Sequence, residues 1–167
     1  MKGLNTREVV SHWLMQLKPG DPGFVLDEHG QCRLISEVEK DHCIVFVPSA
    51  DKPSYHLFQD VWQLPGAVDA ASYESLLALN LLGTATAGGF LGFDAETRSL
   101  VFSLTGTAAD SDAKSFYALL ERFFDTAQGL RTRLASLFGQ GSRNHCRESA
   151  SARGVFRKYE IQRSNER

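Results

Sequence analysis

The amino-acid sequence predicts an α+β domain: an antiparallel, twisted sheet of about five strands with three helices, in the order α-βββ-α-ββ-α. Three observations predict it. Three segments repeat apolar residues at three- and four-residue spacing, as a helix with a buried face does. Five short segments rich in β-branched and aromatic residues lie between them. Short polar or Gly/Pro turns join neighbouring strands, for which antiparallel meander pairing is the simplest topology.

The first helix is expected over Thr6 to Lys18, capped by Thr6 or Asn5, with Glu8 favourably placed in its first turn. Val9, Val10, Trp13, Leu14 and Leu17 form its apolar stripe, and Pro19-Gly20 with Asp21-Pro22-Gly23 stops it. Phe24 to Leu26 is an optional strand or an extended lead-in. The first strand spans Gln31 to Ser36. The second, Cys43 to Val47, is apolar at every position, as expected of a central strand buried on both faces. The third runs from Tyr55 to Trp62, and Leu64-Pro65-Gly66 ends that part of the sheet.

The second helix is expected from Ala70 to Leu82, with Asp69 or Ser72 as its cap. Tyr73, Leu76, Leu77 and Leu81 form one face, while Leu79 and Leu82 lie off it. A helix apolar around most of its circumference needs cover on two sides, which its own sheet and a second subunit would supply, with simple deep burial as the alternative. Two strands follow, Phe90 to Asp94 and Leu100 to Leu104, joined by a tight polar loop. The last helix starts after Asp110-Ser111-Asp112 and reaches Phe138. Its stripe is Phe116, Leu119, Leu120, Phe123, Ala127, Leu130, Leu134 and Leu137, and Gly139 provides a left-handed stop.

Charge divides the chain. Its net charge of -2 combines a balance of -6 over residues 1–138 with +4 over residues 139–167. An acidic body argues against nucleic-acid binding. The polar, basic tail has too few large apolar groups to offset its ordering entropy, so residues 1–138 are read as the domain and 139–167 as a mostly disordered tail. No apolar run approaches the ~18 residues of a membrane helix. The start of the chain lacks the apolar core of a signal peptide, which makes the cytoplasm the expected location.

Catalytic and metal readings find little support. Cys32, Cys43 and Cys146 are odd in number and lack CxxC spacing. His42-Cys43 and His145-Cys146 are adjacent pairs, and in a strand adjacent side chains point to opposite faces. Gly83-Thr-Ala-Thr-Ala-Gly88-Gly89 has no Lys-Ser/Thr after its glycines and leads into a strand, so it reads as a turn rather than a phosphate loop. The five histidines, His12, His29, His42, His56 and His145, surround no recognisable nucleophile elbow, although His12 and His56 are free to meet in space. Glu37 and Glu39 share a strand face but sit at a turn edge, where acids are solvated. Trp13 and Trp62 belong either to the core or to a contact surface. The expectation is a protein without enzymatic activity, metal or cofactor. Leu77 to Leu104 holds more apolar residues than one small core needs, which points to polypeptide partners.

Several motifs carry a resemblance to a known family: Leu77-Leu79-Asn80-Leu81, the strand Gly88-Gly89-Phe90-Leu91-Gly92-Phe93-Asp94, the Leu100-to-Leu104 strand, and the helix with Phe116, Leu120, Phe123 and Phe124. In their order and spacing the chain resembles the class I type III secretion chaperones, the Tir chaperone (CesT) family. The resemblance covers residues 6–138 and is strongest over 64–138. It implies a cytoplasmic homodimer that holds the N-terminal chaperone-binding segment of one or more secreted effectors in a non-globular, secretion-competent form. It implies no nucleic-acid binding and no membrane insertion. The family's dimer contact corresponds here to Leu76, Leu79, Leu82, Phe90 and Leu91. Its effector grooves, on the first helix and the neighbouring sheet face, correspond to Val10, Trp13, Leu14, Leu17, Ile35, Val45 and Phe58. The basic tail departs from the family and is read first as a solvated appendage, with a contact to an acidic effector or a secretion-apparatus component as the alternative. The alternative is a regulator of the same fold that sequesters a partner; a small Cys/His hydrolase is the weakest reading.

Overall fold

The computed structural model describes residues 5–17, 19, 23–36, 42–109, 111–139 and 158–161. Lys18, Gly20, Asp21, Pro22, Glu37, Glu39, Asp110, His145 and Cys146 lie outside them, together with most of the tail. The elements are α1 (Thr6–Leu17), β1 (Gln31–Ser36), β2 (His42–Phe46), β3 (Ser54–Gln63), α2 (Ala70–Leu79), β4 (Phe90–Asp94), β5 (Ser99–Thr107), α3 (Ala113–Phe138) and β6 (Lys158–Ile161). They follow the expected order, with one addition at the end of the chain. The sheet order is β4-β5-β3-β2-β1-β6, and β1–β2, β2–β3 and β4–β5 pair antiparallel. β6 is the addition: four residues of the tail pair parallel to β1, from Arg33↔Lys158 to Ser36↔Ile161. Among the described residues the expected antiparallel strands are all present, and β6 is added to them as a sixth.

The chain forms two compact units, Met1–Phe58 with Thr105–Leu119 and Val155–Arg167, and Gln59–Leu104 with Leu120–Gly154. In the first unit α1 begins at Asn5, whose Oδ1 accepts the Glu8 N–H, and the Thr6 N–H donates to the Ala50 carbonyl. Val10, Trp13 and Leu14 are buried. Trp13 packs edge-on to Tyr55 at 6.2 Å and tilted on Phe116 at 5.5 Å, while Tyr55 meets Phe116 edge-on at 5.4 Å. The Tyr117 hydroxyl donates to the Trp13 carbonyl at 2.8 Å, fastening α3 to α1. Gly106 of β5 lies against the Tyr55 ring, where any Cβ would collide. Phe24 is buried, but its segment forms bends rather than a strand.

In the second unit Asp69 is the cap of α2, accepting the Ser72 N–H at 2.7 Å. The helix ends at Leu79, earlier than expected. A tight turn, Leu81–Gly83, follows, with Leu82 at φ 58° in the left-handed region. Gly83 and Gly88 also have positive φ, and Gly89 lies against the Ser103 carbonyl and the Phe102 ring, where a Cβ would clash. The glycine-rich segment is thus a turn, as its chemistry implied. α3 starts within the first unit, where Asp112 caps it by accepting the Ser115 N–H and hydroxyl, and continues into the second from Leu120. Its buried positions are Phe116, Leu120, Phe123, Ala127, Leu130 and Leu134; Leu119 is half-buried and Leu137 exposed. Phe123 stacks on Phe102 at 4.9 Å, and Gly139 takes the left-handed stop at φ 75°. Among the described residues no helix is long and apolar enough to cross a membrane.

Candidate functional site

Strand pairing separates the sheet residues of the first unit into two faces. Cys32↔Val45, Leu34↔Cys43 and Val45↔Leu57 lie on one face, and all of these residues are buried with Tyr55 under α1. The other face carries Arg33↔Ile44, Ile35↔His42, Ile44↔Phe58 and Phe46↔His56. There Arg33, Ile44, Phe46, His56 and Phe58 are half-exposed, and Ile35 is buried. Phe46, His56 and Phe58 form an aromatic cluster. His56 stacks on Phe58 at 5.9 Å, and Phe46 lies 6.4 Å from His56 and 6.3 Å from Phe58. The His56 Nδ1 is 3.0 Å from the Thr105 hydroxyl, which fixes the ring.

The seven effector-groove candidates therefore do not form one surface. Val10, Trp13, Leu14 and Val45 are interior residues of the α1-covered face, and Leu17 beside them is half-buried. Ile35 and Phe58 sit on the opposite face. Ile44, Phe46 and His56 join them there, and none of the three is among the groove candidates of the sequence. The signal was hidden in β2, because an all-apolar strand does not say which of its faces is covered.

A second surface lies in the α2–β4 region. Leu76 is the residue that α2 buries, and Leu79 and Leu91 are half-buried. Exposed instead are Tyr73, Leu77 (70%), Leu81 (67%), Leu82 (89%), Phe90 (54%) and Phe93. The Asn80 side-chain amide donates to the Leu91 carbonyl at 3.0 Å and accepts the Leu91 N–H at 2.7 Å, joining the end of α2 to the edge strand. Tyr73 and Leu77, four residues apart, share one helix face, with Leu81 in the turn beyond them. Of the five dimer candidates, Leu82 and Phe90 project fully, Leu79 and Leu91 partly, and Leu76 points inward. Tyr73, Leu77, Leu81 and Phe93 are additions that only burial reveals, because the apolar period of α2 does not say which side meets its own sheet.

Other candidate chemistry is dispersed. Cys32 and Cys43 are free and buried. Burial pushes the Cys32 thiol up to about 12, helped by the negative charge of Asp27, and burial raises Cys43 as well, helped by Cys32. Both stay protonated at neutral pH, the reverse of an activated nucleophile. His12 pairs with Gln16 on its own helix, and His56 with Thr105, so neither is held against a thiol. His42 and Cys43 point to opposite faces, as alternation requires. Trp13 is a core residue; Trp62 is half-buried and stacks on Phe138 at 6.5 Å.

Comparison with known proteins gives these surfaces a context. The family model of the Tir chaperone protein (CesT) family matches residues 15–131. No curated protein sequence matches the chain. Among solved structures, the ExsC–ExsE complex is similar with a TM-score of 0.63 and 20% identity, over 75% of this chain and 93% of that one. The HopA1–SchA chaperone–effector complex aligns with a TM-score of 0.61 and 17% identity, over 77% and 94%. The ExoU–SpcU complex of the Pseudomonas aeruginosa type III secretion system aligns with a TM-score of 0.54 and 17% identity, over 78% and 98%. At this level of identity the likeness establishes a shared fold.

Proposed function

This chain belongs to the Tir chaperone (CesT) family, and from that premise we propose that it is a cytoplasmic type III secretion chaperone. It binds the N-terminal chaperone-binding segment of a secreted effector and keeps that segment non-globular and competent for secretion. The family match over residues 15–131 carries this reading. The neighbouring exposed apolar residues of the α2–β4 region support it, since a cluster of large apolar side chains in solvent marks a contact surface.

The α2–β4 surface, with Tyr73, Leu77, Leu81, Leu82, Phe90 and Phe93, is the proposed contact with a second copy. The outer sheet face, with Ile44, Phe46, His56 and Phe58, is the proposed seat for apolar anchors of the effector segment. An extended peptide is held there by aromatic and aliphatic contacts, with side-chain pockets giving the register. Residues 1–138 form the chaperone domain in this reading. No step of the function needs a nucleophile or a cofactor, and no turnover is expected. The regulatory alternative has no separate observation in its favour among the described residues.

Affinity purification of the tagged full-length chain from its native host, followed by mass spectrometry, tests the proposal. A secreted protein retained through its N-terminal segment is the expected catch. Recovery of no secreted protein from a host actively expressing its secretion system refutes the chaperone reading.

A further inference from the structure

A sheet offers strand-pairing groups only at its edges, and the two ends of this sheet are treated differently. At β4 the Asn80 amide occupies both backbone groups of Leu91, so a side chain covers the middle of that edge. At β1 the blocking group is a strand from the chain's own tail, β6, in parallel register from Arg33↔Lys158 to Ser36↔Ile161. The β1–β6 ladder is parallel and four residues long, and parallel pairing is the weaker kind per residue. A tether of 19 residues, 139–157, separates it from the end of α3. A chain linkage of that length raises the effective concentration of its end to roughly millimolar. A strand too weak to bind as a separate peptide is therefore kept in place when attached.

Charge adds to the match. β1 is preceded by Asp27 and Glu28 and followed by Glu37, Glu39, Lys40 and Asp41, while the tail strand is flanked by Arg157 and Arg163; this flanking attraction outnumbers the one like-charge pair in the register, Arg33↔Lys158. We infer that β1 is the strand-accepting edge of this protein, and that the tail is a tethered internal occupant which an effector strand must displace. The inference rests on the chaperone reading for the identity of the competitor, while the β1–β6 contact stands without it. Its consequence is a threshold. A segment that offers only a strand competes poorly with the tail, whereas one that also anchors on Phe46 and Phe58 displaces it.

The test uses the full-length chain and a double variant, Tyr159→Pro with Glu160→Pro. Backbone N–H groups alternate sides along a strand, so adjacent prolines remove a ladder donor in either phase. The first readout is amide hydrogen exchange in β1 without any partner. The amides of residues 32–35 that face away from β2 are expected to exchange about tenfold faster in the variant, with core protection in α3 unchanged. A second variant, Arg157→Glu with Arg163→Glu, is expected to show the same change at smaller size. Equal exchange in all three proteins overturns the inference. The second readout is the affinity for the N-terminal fragment of the secreted protein recovered by purification, expected to be about tenfold tighter in the proline variant. Equal affinity, with the exchange difference present, overturns displacement. Failure of both proteins to bind any such fragment, again with the exchange difference present, refutes the chaperone reading and the competition with it.

Discussion

The first unit and the α2–β4 region use the same kinds of residue to opposite ends. In the first, Trp13, Tyr55 and Phe116 close on one another, and their large side chains are almost wholly withdrawn from water. In the second, Tyr73, Leu77, Leu81, Leu82, Phe90 and Phe93 remain in contact with solvent. Apolar content alone therefore does not distinguish a core from a binding surface. The distinction comes from partners: each aromatic of the first cluster meets another ring, while the leucines of the second face outward from a helix that buries only Leu76. Residues of the first kind hold the fold; those of the second are available to another chain.

Removing a ring from the first region gives the largest expected effect. Phe116→Ala leaves a cavity beside Trp13 and Tyr55 and is expected to destabilise the protein by about 3–5 kcal/mol. Denaturant unfolding measures it, and a loss below 1 kcal/mol would dissolve the contrast between the regions. In the second region Leu77→Asp with Leu81→Asp should leave the unfolding midpoint of the protomer nearly unchanged while abolishing self-association. Burial of a leucine contributes about 1.5–3 kcal/mol, so losing two per protomer, four in a symmetric dimer, weakens it by about 10,000-fold or more. Sedimentation velocity reads this directly; an intact dimer in the variant would reassign the surface.

The outer sheet face lies between these extremes. Phe46→Ala and Phe58→Ala are each expected to weaken capture of the effector segment by about 1–2 kcal/mol, with dimer mass and fold preserved. Isothermal titration checks this, and unchanged affinity in both variants removes that face from the binding site. The smallest effect sharpens the comparison most finely. Leu82 is 89% exposed and has φ 58°, so its backbone is strained while its side chain contributes nothing to the protomer. Leu82→Gly relieves the strain but adds unfolded-state freedom, leaving a net gain of about 0.5 kcal/mol in protomer stability. The same change weakens self-association. Stability and association moving in the same direction would show that Leu82 serves the fold rather than the contact.

Most of the fold was legible in the sequence because it rests on local signals. The period of α3 placed Phe116, Leu120, Phe123, Leu130 and Leu134 inward, and Asp112 and Gly139 marked its ends. The strands appeared within a residue or two, apart from the longer reach of β5 to Thr107. The surfaces were less legible, for a physical reason. The apolar run Cys43 to Val47 and the all-round apolar α2 carry no internal mark of which face is covered, since that depends on distant residues such as Tyr55 and Leu57. So the groove candidates Trp13 and Val45 lie in the core, while half-exposed Phe46 and exposed Leu77 are not among the groove or dimer candidates. β6 was beyond reach because its short polar-flanked segment has a partner only in β1, more than a hundred residues earlier.

Sedimentation equilibrium of the wild-type chain tests most directly whether the α2–β4 leucines are a contact rather than a misplaced core. A protomer of 18.5 kDa that pairs through this surface gives a single species of twice that mass at micromolar concentration. The protomer mass at every concentration up to the solubility limit would contradict the assignment.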